Sequence, residues 1–376
     1  MSTPGHGPRS RFRSLDLLRG GAALGVVVYH QMFSDGFREA VPWLHRLFKV
    51  GDYGVAMFFV VSGYCIAAAA DGGRRRGDGA GCFLRRRLAR VFPPFWASLA
   101  VVAAAPRLTD WLAPAAPRPA DPFATADAVE WVRVATLTQG YAPRTAQSFA
   151  DQYVGFSGVY WTLGIEVQFY LIVALALRLG RAGGRFLGGV TAAGLVSLAR
   201  QDLWVEGLFV PFWPQFAAGM AAFGLARSGR TAEAVLGGVA ARALTIPAGA
   251  GLVAFAFAEP LARFNYCFER ASFAAAFAAF LWLAGAWESR LAGGGRVVAA
   301  GLGFGAMSYS LYLTHGPMLA VAAAAWDSVA APCPATDATK LLCVVAACVP
   351  FYFAAERPVL RWLTPPRGLP EGVQSP

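Results

Sequence analysis

Apolar residues in this chain come in long unbroken runs rather than in alternation, and the runs are closed by polar residues, most often arginine. Ten such runs recur, at 17–33, 53–70, 91–105, 160–179, 186–199, 207–226, 243–258, 272–287, 303–326 and 341–355. Runs of roughly 15 to 25 apolar residues predict membrane-spanning helices. The 186–199 run is the shortest. Pro93-Pro94 would open the third helix, where proline is tolerated in a first turn. The longest polar stretch, 106–158, carries one amphipathic helix candidate over 124–139. The predicted fold class is therefore all-α integral membrane, with about ten transmembrane helices.

Composition agrees with this pattern. The 376 residues are 56% hydrophobic and only 15% charged, with mean hydropathy +0.46. Soluble domains average about 25% charged residues. The net charge of +11 could suit nucleic acid. Its arginines sit in short clusters between apolar runs, which membrane orientation explains better than a nucleic-acid face. With ten helices, 22 of the 33 basic residues fall on one side, and the other side holds eleven basic against fourteen acidic residues. The positive-inside rule then places both termini in the cytoplasm. Residues 1–14 form a cytoplasmic segment, 15–363 the membrane domain, and 364–376 a disordered tail. The arginine-rich start leads into a retained first helix, not a cleaved signal. Six scattered cysteines show no metal spacing, so no metal is expected, and a Cys267–Cys333 bridge is not required by the pattern. The Ala/Gly/Arg-rich composition suggests a high-GC bacterium and nothing finer; the expected location is the bacterial cytoplasmic (inner) membrane, multi-pass.

Four ionisable positions in or at the edge of the apolar runs are costly enough to suggest function. Arg19 and His30 share the first helix, eleven positions apart, or about 16 Å at ~1.5 Å per residue. A histidine there can take a proton from a hydroxyl, and Arg19 at the membrane boundary can hold an anion. A snorkelling arginine and an interhelical histidine are the plain alternative. Glu166, in the fourth helix, needs a partner, and His30 is the expected one. His315 lies in the ninth helix just before Pro317. The basic stretch Arg74–Arg76 and Arg85–Arg90 is an orientation signal that would also suit a multiply phosphorylated ligand.

Taken together, six stretches resemble the membrane-bound acyltransferase 3 family. They are Leu15-Asp16-Leu17-Leu18-Arg19-Gly20 with His30, the Phe58-to-Tyr64 run containing Ser62, and Arg87-Leu88-Ala89-Arg90 before Pro93. The others are Trp161 to Tyr170 containing Glu166, Tyr309 to His315, and Glu356-Arg357-Pro358. Many members carry a second Glu where this chain has Val167. The resemblance implies acyl transfer from cytoplasmic acyl-CoA, usually acetyl-CoA, to a hydroxyl of a carbohydrate or glycosylated acceptor. It implies His30, Glu166 and His315 as catalytic residues and Arg19, Arg87 and Arg90 as donor-binding residues. Asp16, Ser62, Trp161, Tyr309 and Glu356 complete the motifs, and Ser62 or His30 could carry the acyl group in a two-step version. The partners implied are the lipid bilayer and a glycan, without a fused acceptor domain. A polytopic transporter or flippase, or an acyl conduit for a partner enzyme, is the alternative; no internal repeat supports the transporter.

Overall fold

The computed structural model describes residues 12–31, 33–115, 126–141, 157–204, 207–258, 265–331 and 333–363. The tail at 364–376, most of the 1–14 segment and much of the 106–158 stretch lie outside the described residues. Among the described residues the fold is all helical: this is an integral membrane protein built from packed α-helices.

Among the described residues seventeen α-helices follow one another: α1 (Arg13–His30), α2 (Asp35–Ala40), α3 (Pro42–Lys49), α4 (Gly54–Arg75), α5 (Ala80–Leu112), α6 (Ala128–Ala135), α7 (Trp161–Arg178), α8 (Gly183–Ala199), α9 (Trp213–Arg227), α10 (Ala232–Leu236), α11 (Gly238–Ala258), α12 (Tyr266–Ala284), α13 (Glu288–Ala292), α14 (Arg296–Ala306), α15 (Ser308–Asp327), α16 (Pro334–Phe351) and α17 (Arg357–Leu363). Each of the ten apolar runs has a helix. Among the described residues seven helical stretches are long and apolar enough to cross a membrane, or eight if α14 and α15 form one broken span bent by 69°. The expected ten thus become seven or eight on this measure. The two helices left over are α1, with charged Arg13, Asp16 and Arg19, and α9, with only 15 residues.

Three further expectations change. α5 begins a full eleven residues before the expected start and runs through Pro93, Pro94 and Pro106, so the prolines are interior and Arg85–Arg90 are helical. The amphipathic helix is shorter than 124–139: α6 starts after Asp127, which caps it reciprocally with Glu130. All six cysteines are free thiols.

Packing explains the glycines that matter. A Cβ on Gly63 of α4 would lie 2.0 Å from the Phe216 carbonyl, and one on Gly219 of α9 would lie 1.9 Å from the Val60 carbonyl. Those backbones touch, as small residues permit between membrane helices. α1 packs against α4, α14 and α15, so it stands inside the bundle. One face gathers the start of α1, the ends of α4 and α9, the start of α5, and α13. There Arg13 donates to the Leu291 carbonyl (2.6 Å), Ser14 to Glu288, and Arg75 and Arg227 to Asp71 (2.8 and 3.0 Å). α1 ends on the opposite face. Between α16 and α17 the chain makes a π-helical turn, Tyr352–Glu356.

Candidate functional site

Arg19 stands beside the break between α14 and α15. Its Nε donates to Ser308 Oγ (2.7 Å) and its Nη2 to the Gly305 carbonyl (2.8 Å). The break is what frees that carbonyl region for a side-chain donor. Close approach makes it possible. A Cβ on Gly305 would lie 2.1 Å from the Asp16 carbonyl, and one on Gly20 would lie 2.6 Å from the Gly305 nitrogen.

From there a cavity of about 110 Å³ opens where α1, α4, α5, α7 and α15 converge. Arg19, Ser62, Arg87, Arg90, Glu166 and Tyr309 line it. Arg87 and Arg90 are three apart on α5 and so share a helix face. Arg87 donates to the Cys65 carbonyl (3.4 Å) and lies 5.9 Å from the centre of the Phe83 ring. Arg90 has no hydrogen bond or ion pair among the described residues. Against these three guanidinium groups the cavity sets one carboxylate, Glu166, among its described residues. Glu166 Oε1 accepts from Ser62 Oγ (2.6 Å) and from Tyr170 OH (2.7 Å). The site is therefore net positive, with oriented donors on its carboxylate, and is suited to a phosphorylated ligand.

Beyond the cavity the polar path continues toward the opposite face. Tyr312 lines the cavity, and its hydroxyl meets Thr162 Oγ1 (2.6 Å) and donates to the Val159 carbonyl (3.0 Å). The Tyr312 ring centre is 6.0 Å from that of His315, which is fully buried. His315 Nδ1 lies 3.0 and 2.9 Å from the Leu311 and Tyr312 carbonyls, and His315 Nε2 lies 3.4 Å from His30 Nδ1. His30 Nδ1 in turn lies 2.9 Å from the Val26 carbonyl. A carbonyl can only accept, so Nδ1 of each ring is the protonated nitrogen, and Nε2 of His30 keeps its lone pair. That leaves His30 Nε2 as the basic atom. His30 is the last residue of α1 and exposed, not interior to a helix reaching residue 33.

One expectation is corrected. Glu166 does not orient His30; Ser62 and Tyr170 hold it instead, and His315 is the residue beside His30. Three motif positions do not line the cavity. Trp161 begins α7 with its ring 5.3 Å from Phe212. Asp16 offers its backbone to Gly305. Glu356 is buried at the end of the π turn, accepting from Ser310 N (3.0 Å) and Oγ (2.6 Å). Tyr309 does line it, its hydroxyl donating to the Val91 carbonyl (2.9 Å).

Sequence reasoning missed the roles of Tyr170, Thr162, Tyr312 and Ser308. Tyr170 had a signal, since it lies four residues from Glu166 on one helix face. The others depend on interhelical packing and had none. Outside the cavity, much of the basic stretch is already neutralised: Arg76 and Arg86 both donate to Asp78 (2.8 and 2.7 Å). Those hydrogen bonds, Arg76's first, hold the Asp78 carboxyl below its ordinary range.

Among characterised proteins, Nodulation protein 10 of Rhizobium leguminosarum bv. viciae is 29% identical over 214 residues. That match covers 53% of this chain, and the chain spans about half (51%) of that relative's length. No solved structure matches. The acyltransferase domain model of the acyltransferase 3 family matches residues 12–357, nearly the whole chain, and the protein belongs to that family.

Proposed function

We propose that this protein is a membrane O-acyltransferase of the bacterial cytoplasmic membrane. It takes an acyl group, acetyl in the simplest case, from cytoplasmic acyl-CoA and passes it to a hydroxyl of a carbohydrate or glycosylated acceptor. The observation that carries the reading is the single cavity joining Arg19, Arg87 and Arg90 to Ser62 and Glu166, with the His30–His315 pair beyond Tyr312. Family membership supports the acyl-transfer chemistry.

The donor's phosphates pair with Arg90 and Arg87, and the face bearing Arg75, Arg86 and Arg227 is the cytoplasmic one, in keeping with the positive-inside rule. The acceptor approaches from the opposite face. His30 Nε2 takes the proton of the acceptor hydroxyl as its oxygen attacks the thioester carbonyl. The C–O bond forms, the C–S bond breaks, and the proton on His30 passes to the leaving thiolate, giving free CoA and the ester. His315 keeps His30 in the required tautomer through the contact at Nδ1.

The test is His30→Ala and His30→Gln, purified in membrane mimetic and assayed with acetyl-CoA for CoA release, alongside mass spectrometry of cell-surface and secreted glycans with and without the gene. Loss of turnover in both variants with unchanged thermal unfolding, and a missing acyl mass on one glycan, are expected. Wild-type turnover in His30→Ala rejects the base assignment. Unaltered glycans together with no CoA release reject the function.

A further inference from the structure

A second ionic group lies on the face where α1 ends, and the mechanism above does not use it. The chain between α3 and α4 is a short 3₁₀ turn, Val50–Tyr53. It is pressed onto the last two turns of α1. A Cβ on Gly51 would lie 2.0 Å from the Gly25 carbonyl and 3.0 Å from Tyr29 Cβ, and one on Gly54 would lie 2.5 Å from Val26 Cγ2. Val26 is the residue whose carbonyl holds His30 Nδ1. Asp52 sits in this turn, between Gly51 and Tyr53, which places it beside the end of α1 that carries His30.

Asp52 is itself held. Arg270 of α12 hydrogen-bonds it through Nη2. The Arg270 side chain is only 8% exposed, and its guanidinium lies 3.7 Å from the centre of the Tyr53 ring and 4.9 Å from that of Tyr266. Two of its nitrogens, Nε and Nη1, are buried without an acceptor. Tyr53 is fixed in turn by its 2.5 Å hydrogen bond to Glu269. A cation so costly to bury, with two donors unused, is not a stabilising device on its own. The carboxylate it holds, Asp52, belongs to the turn packed on the end of α1.

We infer that Asp52, set by Arg270, is a positioning residue for His30: it supplies the negative charge that stabilises the imidazolium formed when His30 takes the acceptor's proton. The charged or titratable groups around His30 are His315 from α15, Tyr29 from α1 and Asp52 from the 3₁₀ turn, with Arg270 and Glu269 of α12 behind Asp52. Of these, Asp52 is the carboxylate carried by the turn that packs on the end of α1. Arg270 tempers it. Removing Asp52 and removing Arg270 should therefore shift the imidazole in opposite directions.

This inference rests on the proposed function for its purpose, but its test need not. The readout is carbethoxylation of His30 by diethyl pyrocarbonate, followed peptide by peptide by mass spectrometry across pH 5–8; the reagent modifies neutral imidazole. In Asp52→Asn the midpoint of labelling moves to lower pH by about 0.5–1, in Asp52→Glu it stays near wild type, and in Arg270→Gln it moves to higher pH. The acid limb of the acyl-transfer rate follows the same directions. An unchanged midpoint in Asp52→Asn, or shifts of one sign in both Asp52→Asn and Arg270→Gln, overturns the inference. Wild-type protein that transfers no acyl group defeats the proposed function while the labelling result still decides this one.

Discussion

Arg19 reaches the carbonyl of a residue that can carry no side chain: Gly305 accepts its 2.8 Å hydrogen bond while lying against the Asp16 backbone of the same helix as Arg19. The guanidinium position is thus set by backbone contact between α1 and α14. Gly305→Val should force those helices apart and cost at least about 3 kcal/mol. Gly303, two residues earlier, has open space where a Cβ would point, so Gly303→Ala should leave stability within about 0.5 kcal/mol. Thermal unfolding of the two variants in detergent checks this, and equal midpoints would reject the close-contact argument.

Arg90 is the cation of the cavity with no hydrogen bond or ion pair among the described residues. A group left in this way is available to an incoming phosphate. Arg90→Ala should weaken acyl-CoA binding about tenfold with little change in unfolding temperature. Calorimetric titration at fixed salt is the measurement, and an unchanged isotherm removes Arg90 from the donor site.

Glu166 accepts two hydroxyl donors through one oxygen. Glu166→Gln keeps an oxygen there for both, so stability should change by no more than about 1 kcal/mol. It removes the negative charge from among three arginines, so acyl-CoA should bind as well or better while turnover falls at least about tenfold. Ser62→Ala leaves Tyr170 holding the carboxylate and should cost less. Dissociation constants and kcat measured side by side separate these outcomes; a wild-type kcat in Glu166→Gln would make the carboxylate dispensable.

Asp78 occupies Arg76 and Arg86 at the mouth of the basic face. Its carboxyl is held below the ordinary range, chiefly by the Arg76 hydrogen bond. For a depressed carboxyl, the ion-pair contribution is present above the unfolded value of about 3.9 and fades as pH falls through the lower folded value. Both pairs therefore persist unchanged from pH 5 to 8. Asp78→Asn should release two arginines and raise the association rate of acyl-CoA at low salt, with the gain vanishing in ~1 M salt. Stopped-flow binding at two ionic strengths tests it; a gain that survives high salt would point to another cause.

Helices were legible because apolar runs need no partner to be recognised, and every one of the ten runs is helical. Their ends were less so. Pro93 and Pro94 signal a helix start when read locally, yet α5 runs through them because neighbouring helices supply the packing. Arg19, Arg87 and Arg90 were grouped by the family resemblance, because charge at a membrane face marks orientation without selecting these three from the other arginines. The Ser62–Glu166 pairing could not, being a contact between residues 104 apart that is settled by how α4 and α7 pack. Nor could the choice of His315 over Glu166 as neighbour to His30, since three ionisable side chains on three helices allow either arrangement until the crossing geometry is fixed.

The π turn at Tyr352–Glu356 carries a further meaning. Such a turn is an α-helix that has absorbed one surplus residue. Each residue of an α-helix advances the chain by about 100° around the axis. Removing one residue, Ala354 for instance, would restore regular winding and rotate everything after it by that angle. Glu356 would swing away from Ser310, and with it would go the clasp between the final helices and the segment that presents Tyr309, Tyr312 and His315. The phase of the last membrane helix, not its composition, is what this surplus residue encodes.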